Sequence, residues 1–318
     1  MNFLYNKVFL EHDTGMHPES IQRLLSLGDL KETKLISGEP YLHFVHEEPY
    51  IAQIKKSCKL GQQLNPETML SKGSYKAAIY AVGAAIMASK SNDFALVRPP
   101  GHHANNDPTS GFCLFNNIAI AAQKLANQNK KVLIIDIDGH CGDGTETFFY
   151  NTNKVMYLSL HQYPAFPSFG DENQIGEKEG KGFTINIPLP QTTGDDLYLK
   201  AFKQFLPVLK QFNPDVVGVS AGFDAHHKDP LLNLNLTTNT FHEVGKLLQK
   251  NFKNIFATLE GGYDIDFLPQ CVHNFTDGIN NKPMKYKETP TKSSEEVKQE
   301  LNKRLNNLQN NLKEFWKF

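Results

Sequence analysis

The sequence has little of several features that mark special classes of protein. Its four cysteines (Cys58, Cys113, Cys141 and Cys271) form no C-x-x-C pair, and we interpret them as reduced thiols of a cytoplasmic protein. No apolar run approaches the length of a membrane span. The first residues include early acids and no small-residue cleavage site, so they do not resemble a signal peptide. Secretion by a route without an N-terminal signal stays open.

Charge of either sign is not in excess. The net charge of −1 gives no electrostatic sign of nucleic-acid binding. We therefore expect no direct nucleic-acid partner and no membrane partner. The oligomeric state is left open by the sequence.

The chain is long enough for one large α/β domain, and its apolar patterns alternate between strand-like and helix-like. This alternation predicts an α/β fold with a mostly parallel central sheet and helices on both faces. After about residue 283 the composition shifts to Lys, Glu, Asn and Gln, yet an apolar stripe continues at helical spacing. We predict a catalytic domain over residues 1–283 and a charged amphipathic helix over residues 284–318, docked on that domain.

The stretch IIDIDGHCGDGTE, residues 134–146, follows a β-branched apolar run typical of a buried strand. Asp136, Asp138 and His140 occupy every second position, so we expect them to share one face as the strand ends. Carboxylate and imidazole groups at the carboxyl end of a parallel strand can bind zinc. The plainer alternative is a strand end whose acids cap the following helix.

Three other predicted strand ends carry polar side chains. The loop RPPGHHANNDPTSGF, residues 98–112, contains His102 and His103, which as neighbours cannot both be routine core residues. SAGFDAH places Asp224 after a buried strand, and LEGGYD places Tyr263 after another. A single active site requires all of these ends to meet at one edge of the sheet. His17, in HPE, either supports the site or is simply structural.

Seven motifs occur in order: HPE, RPPGHHA, GFCLFNN, DIDGHCGDGTE, SLHQYP, SAGFDAH and LEGGYD. Over about residues 1–280 they resemble the histone deacetylase and acetylpolyamine amidohydrolase family, and the class II and bacterial-type deacetylases are the most similar branch. The resemblance implies the three-layer arginase–deacetylase fold, one zinc ion and hydrolysis of an acetylated amine. The substrate would be an acylated lysine in a protein or peptide, or a small acetylated amine.

The resemblance also implies roles for particular residues. The zinc ligands would be Asp138, His140 and Asp224, and the catalytic groups would be His102, His103, Asp136, Asp143 and Tyr263. A structural potassium ion would be bound by Asp136, Ser159 and the backbone carbonyls of Asp138, His140 and Leu160, and a second cation by carbonyls around Phe149, Thr152 and Val155. Gly111, Phe112, Phe166 and Leu231 would line the substrate channel.

Two departures from the family pattern concern the site. His140 is followed by Cys141 where a second histidine is usual, so the thiol either is a benign small replacement or makes the site sensitive to oxidants. The loop after Tyr163 reads PAFPSFG where Pro-Gly-Thr-Gly is common, which leaves substrate choice open. The apolar Leu231 favours lysine-type substrates, since the polyamine branch tends to have an acid there.

Several functional alternatives stay open beside an acyl-lysine hydrolase. The same chemistry could act on an acetylated polyamine or another small amide, and the native metal could be iron. An arginase-like binuclear manganese enzyme would need bridging carboxylates that the two metal-binding motifs do not clearly supply. A catalytically silent acyl-lysine binder is disfavoured because Tyr263 and both histidines of the pair are present.

Overall fold

The alternation of strands and helices builds one parallel sheet in the computed structural model, which describes residues 1–107 and 111–318. Pro108, Thr109 and Ser110, which belong to the predicted 98–112 loop, lie outside the described residues. The strands within the described part are β1 (Phe3–Leu4), β2 (Phe94–Ala95), β3 (Val132–Asp136), β4 (Val155–Gln162), β5 (Thr184–Leu189), β6 (Val216–Ala221) and β7 (Ile255–Leu259).

The helices fall between these strands, with two more after β7. They are α1 (Gln22–Leu25), α2 (Glu48–Leu60), α3 (Ser74–Ser91), α4 (Asn117–Ala126), α5 (Asp143–Phe149), α6 (Asp195–Phe212), α7 (Thr238–Asn251), α8 (Leu268–Ile279) and α9 (Glu295–Leu312). The sequence patterns indicate most of these elements. The interpretation missed α8, although Leu268, Val272 and Phe275 recur at helical spacing and are buried.

The order of the strands explains why one edge of the sheet can carry a site. The order is β1-β2-β7-β6-β3-β4-β5, and each neighbouring pair is parallel. The four strands that precede His102/His103, Tyr263, Asp224 and Asp138/His140 are β2, β7, β6 and β3, which lie side by side. Because parallel strands end at the same edge, their following loops meet there.

Helices cover the sheet, as the predicted three-layer α/β architecture requires. The α3 and α4 helices contact each other and the central strands, and α6, α7 and α8 form a second group. All residues of β3 and β6 are buried, which is expected of parallel strands covered on both faces. None of the helices in the described part of the chain combines the length and apolar character needed to cross a membrane.

The C-terminal helix α9 packs on β5. Its leucines at positions 301, 305, 308 and 312 are buried, while most of its other side chains are at least partly exposed. Ser294 begins the helix by accepting a hydrogen bond from the backbone N–H of Val297. The division of the chain at residue 283 stays a prediction, because α9 is packed on the same sheet as the rest.

Candidate active site

Asp138, His140 and Asp224 form a compact cluster at the carboxyl edge of the sheet. Each offers a ligand atom, and these atoms lie within 4.8 Å of one another. The sequence predicted that alternation along a strand aligns Asp138 and His140, and this explanation is only partly right. The β3 strand ends at Asp136, so Asp138 and His140 lie in the turn beyond it and strand alternation does not place them. Backbone donors hold the turn instead: the N–H of Gly139 donates to Asp224 Oδ1 at 2.6 Å.

Two glycines give the carboxylates of this cluster room. A Cβ atom on Gly222 would lie 2.0 Å from Asp138 Oδ2, and one on Gly261 would lie 2.6 Å from an oxygen of both Asp138 and Asp224. The Gly261 N–H also donates to Asp138 Oδ2 at 2.7 Å. Any larger residue at either position would displace the carboxylates, so the glycines are required by the cluster.

The charge of the cluster fits a cation. Two buried carboxylates face the imidazole of His140, whose Nδ1 lies 2.7 Å from Asp224 Oδ2 and 3.2 Å from Asp138 Oδ1. Burial lowers the pKa of His140, but the two carboxylates raise it overall to about 10. The pocket thus stabilises a positive charge between its acids. Two carboxylates and one imidazole are donor types of a catalytic zinc ion, and a cavity reaches the cluster at His140.

A second cluster of metal-ligating residue types in the described part of the chain has a different explanation. His226, His227 and Glu288 also lie close together. His226 Nδ1 accepts a hydrogen bond from the Lys228 N–H at 3.2 Å, so its Nε2 carries the proton and donates to Glu288 Oε2 at 3.0 Å. His227 Nδ1 lies 3.1 Å from the Leu236 carbonyl oxygen and must donate to it. The bond to Glu288 joins the loop after β6 to the segment before α9, and the bond to Leu236 closes that loop on itself.

The histidine pair stands beside the metal cluster, and each ring has its own carboxylate. His102 Nδ1 lies 3.1 Å from Asp136 Oδ2, and His103 Nδ1 lies 2.7 Å from Asp143 Oδ1. The two ring centroids are 4.0 Å apart. A carboxylate at Nδ1 fixes the tautomer and leaves Nε2 of His103 available for proton transfer.

The two histidines differ in charge. Burial lowers the pKa of His103 to about 4, and neighbouring His102 adds to the effect. Burial also lowers the pKa of His102, but Asp138 and Asp136 outweigh it and raise the value well above that of free histidine. At neutral pH His103 is therefore neutral and can accept a proton, while His102 carries positive charge beside the acids.

Tyr263 is placed by a turn that two buried side chains, Arg23 and Asp229, hold. The Arg23 side chain donates to the carbonyl oxygens of Gly262 and Glu260, the first at 2.6 Å. The N–H of Tyr263 donates to Asp229 Oδ2 at 2.6 Å. Burial raises the pKa of Tyr263 well above its ordinary value, so its hydroxyl stays protonated and can donate a hydrogen bond.

A cavity of about 230 Å³ leads to this cluster, and it contains every predicted channel residue. Its lining consists of Glu67, His103, Gly111, Phe112, His140, Phe166, Leu231 and Tyr263. Phe166 stands edge-on to His103, with ring centroids 5.1 Å apart, and Phe112 stands edge-on to Tyr263 at 5.7 Å. A shallower depression on α6 has a larger volume, about 490 Å³. Its polar lining consists of lysine, glutamine and asparagine side chains, so the lining contains no acid–base pair.

His17 packs behind a residue that lines this cavity. Its ring packs against Phe112 at a centroid distance of 4.5 Å, and its Nδ1 accepts the N–H of Glu19 at 3.1 Å. It therefore supports a channel residue and lies outside the acid–base pairs.

The residues predicted for a monovalent cation are brought together in part. Asp136 and Ser159 are paired across β3 and β4, and Leu160 follows on the buried β4 strand. Ser159 Oγ lies 2.8 Å from Nδ1 of His161, whose Nε2 donates to the Gly170 carbonyl oxygen at 2.8 Å. The second set is close in the chain, since Phe149 ends α5, its carbonyl oxygen accepts the N–H of Thr152, and Val155 begins β4.

Cys141 lies in a closed environment. Its thiol is buried, 3.7 Å from Glu146 Oε2 and 4.0 Å from Asn186 Oδ1. Burial raises its pKa well above that of free cysteine, and Glu146 adds to the rise. Because thiolates are the reactive form, this environment favours the benign replacement over the oxidant-sensitive one.

The sequence interpretation missed several charged residues that support the site. Glu19 is the centre of a buried ionic network with Arg98, Arg23 and His12. Glu260 accepts the N–H groups of Gly101 and His102 at 2.7 and 3.1 Å and so joins LEGGYD to RPPGHHA. Glu67 lines the mouth of the cavity. The position of Glu19, Arg98 and Glu260 inside the recognised motifs was the available signal. Glu67 lies in LNPETMLSKGS, a loop between two predicted helices whose place in the sequence is compatible with bordering a pocket.

Known proteins match this chain over most of its length. The family model of the histone deacetylase domain matches residues 17–279. A probable deacetylase of Archaeoglobus fulgidus is 33% identical over 291 residues, covering 83% of this chain and 81% of the relative. Histone deacetylase 5 of Arabidopsis thaliana is 35% identical over 355 residues, covering 96% of this chain but only 53% of the plant protein.

A solved structure gives the same result for the fold. The crystal structure of the HDA15 HD domain matches with a TM-score of 0.88 and 26% identity, covering 99% of this chain and 97% of that one. Together with the match of the family model over most of the sequence, these findings show that the chain belongs to the histone deacetylase family of hydrolases and has its three-layer α/β fold.

Proposed function

We propose that this protein hydrolyses the acetyl, or another acyl, amide of a lysine side chain in a peptide or protein with the help of one zinc ion. The observation that carries the proposal is the convergence on one cavity of a cation-binding cluster, a neutral histidine with its carboxylate, and a protonated tyrosine. The Phe112 and Phe166 rings flank a space suited to the methylene chain of lysine. A cytoplasmic location stays a prediction.

Asp138, His140 and Asp224 are the proposed zinc ligands. Their donor types, their mutual proximity and the preference of the pocket for positive charge support this assignment. A zinc ion held by these three residues would supply Lewis acidity toward the acyl carbonyl and would lower the pKa of a water molecule to about 7. Zinc and iron accept the same set of ligands, so the native metal stays a prediction.

The remaining groups divide the proton transfers among them. His103 is the proposed general base, since it is neutral and its Nδ1 is held by Asp143. Nε2 of His103 then transfers the proton to the departing amine, which must be protonated in order to leave. His102, held by Asp136, provides positive charge nearby. The Tyr263 hydroxyl is the proposed donor to the oxyanion that develops on the acyl oxygen.

The Tyr263→Phe variant tests the oxyanion donor. It removes only the hydroxyl, and the ring can keep its packing against Phe112. We expect kcat to fall about 10²- to 10³-fold with little change in KM, since the bond strengthens in the transition state. Steady-state kinetics on an acetyl-lysine peptide measure both constants. Unchanged kcat in the variant would remove Tyr263 from the mechanism.

We also propose one structural potassium ion at Asp136, Ser159 and the backbone carbonyls of Asp138, His140 and Leu160. The β3–β4 register supports this assignment by making Asp136 and Ser159 direct neighbours. Asp136 Oδ2 also meets the hydroxyl of Tyr157 at 3.2 Å, so a cation there would help to fix the carboxylate that holds His102.

A small acetylated amine, such as an acetylated polyamine, is the second candidate substrate. Glu67 favours it, because a carboxylate at the cavity mouth attracts a further positive charge on the amine. Leu231 at the rim offers no such charge and favours lysine.

Competition between the substrate classes separates these candidates. We expect kcat/KM for an acetyl-lysine peptide to exceed that for an acetylated polyamine by about tenfold or more. Longer acyl-lysines are compared in the same experiment. The reverse order would assign the enzyme to small amines, and no turnover of any amide by zinc-loaded protein would favour a binding role.

A further inference from the structure

The C-terminal helix α9 contacts a distant loop that carries one wall of the substrate cavity. We call residues 163–182 the Phe166 loop. On α9, the Asn307 side chain donates to Glu172 Oε1 at 3.1 Å, and the Asn311 side chain donates to the Glu172 carbonyl oxygen at 2.9 Å. Beyond the helix, Trp316 Nε1 donates to the Gly182 carbonyl oxygen at 2.6 Å. Polar contacts from the C-terminal region therefore reach both the middle and the end of the loop.

Arg304 of α9 holds the beginning of the same loop. Its Nη1 donates to the carbonyl oxygens of Tyr163 at 2.8 Å and Pro188 at 3.2 Å, and its guanidinium lies 5.7 Å from the centre of the Tyr163 ring. Glu300, one turn earlier on α9, accepts from Nη2. The Arg304 side chain is only 14% exposed, so it is a packed bridge between the helix and the loop.

Phe166 lies three residues after the carbonyl that Arg304 holds. Its side chain is 42% exposed, so core packing fixes it only in part and the backbone of the loop must place it. Its ring meets His103 at 5.1 Å and His140 at 6.3 Å. A small movement of the loop would therefore change the width of the cavity directly above the proposed acid–base group.

We propose that Arg304 is a positioning residue that sets the place of Phe166, and with it the grip of the channel on the acyl-lysine chain. This inference rests on the proposed function for its substrate. A planar guanidinium suits the task, since it presents several N–H donors in a fixed geometry and can stack on an aromatic ring at the same time. The amphipathic helix α9 would thus support the substrate site from outside the cavity, through the Phe166 loop.

The variant Arg304→Met tests the proposal, because methionine keeps an apolar stem and removes the donors. We expect KM for an acetyl-lysine peptide to rise about 3- to 10-fold with kcat changed less than about twofold. The Arg304→Lys variant can donate to one carbonyl oxygen but lacks the planar guanidinium, so its KM should lie between those of wild type and Arg304→Met. Hydrogen exchange of amides in residues 163–176 should be faster in Arg304→Met.

The matched control is Asn302→Ala on the same helix, whose side chain binds Lys200 of α6 and does not touch the loop. It should leave KM and exchange in the loop unchanged. Equal KM in Arg304→Met and wild type, or exchange that quickens only in α9, would overturn the proposal. If wild-type protein hydrolyses no amide, the proposed function fails, and the exchange measurement alone decides whether Arg304 holds the loop.

Discussion

Replacing His103 with alanine should reduce kcat/KM for an acetyl-lysine peptide by about 10²- to 10⁴-fold, the usual contribution of a positioned acid–base group. The loss should lie mainly in kcat, because the His103 ring transfers protons during the reaction and forms only part of the channel lining. His103 is buried next to Asp143, and its low pKa keeps it neutral and ready to accept a proton. Steady-state kinetics with peptide measure the effect.

Two controls distinguish the loss of a catalytic group from general damage to the fold or the metal site. His103 is not among the proposed metal ligands, so the variant should bind the same amount of zinc as wild type. His43→Ala removes an exposed histidine whose Nε2 lies 3.3 Å from surface Glu48, and it should leave kcat/KM unchanged. A His103→Ala enzyme with normal zinc content and near-normal kcat would exclude His103 as the base.

Replacing Glu19 with glutamine should lower the free energy of unfolding by about 3–5 kcal/mol, as expected when a buried ionic network loses one partner. Glu19 Oε1 lies 2.5 Å from Arg98 Nε and 3.1 Å from Arg23 Nη1, and all three side chains are almost completely buried. Glutamine fills the same space, so the loss reports charge and hydrogen bonding and not a cavity. Urea unfolding at pH 7 measures it.

The difference in stability between wild type and Glu19→Gln should depend on pH, in a direction that the pKa of Glu19 sets. Burial alone would raise the pKa of Glu19, but Arg98 and His12 lower it far below its ordinary value of 4.5. A carboxyl with a depressed folded-state pKa stabilises the fold above its unfolded pKa, and this contribution is lost as the pH falls toward the folded value. The difference between wild type and Glu19→Gln should therefore be constant from pH 7 to about pH 5 and shrink below it.

A surface pair provides the matched control for Glu19. Glu32 meets Lys7 at 3.1 Å with both side chains largely exposed. Glu32→Gln should change stability by no more than about 0.5 kcal/mol. If Glu19→Gln is equally mild, the buried network is not what holds the HPE motif against the turn that places Tyr263.

Much of the fold could be predicted from the sequence because its signals were local. Buried β-branched runs indicated central strands such as β3, and the apolar run VMYLSLHQ forms β4, Val155–Gln162. The charged face and apolar stripe near the C-terminus predicted a helix over residues 284–318, of which only Glu295–Leu312 form α9. The order of the strands was not readable from these patterns, since it depends on crossovers between distant segments. That order is what places β2, β7, β6 and β3 side by side.

The candidate site was predicted by motif resemblance more than by geometry. Alternation along a strand was expected to align Asp138 and His140, but both lie beyond the end of β3, where backbone N–H groups of the turn hold the carboxylates. Supporting charges such as Arg23 were missed because their partners are far away in sequence. Arg23 is 239 residues from Gly262, whose carbonyl oxygen it binds. No local pattern predicts such a pair.

The most direct measurement titrates Zn²⁺ into metal-stripped protein while hydrolysis of an acetyl-lysine peptide is followed. We expect no activity without metal and a linear rise that ends at about one equivalent per chain, since Asp138, His140 and Asp224 are the proposed ligands of a single ion. Asp224→Asn should abolish the rise, and Glu288→Gln, in the second cluster, should leave the stoichiometry at one. Full activity in the metal-free protein, or a requirement for two equivalents, would contradict the proposed mononuclear zinc hydrolase.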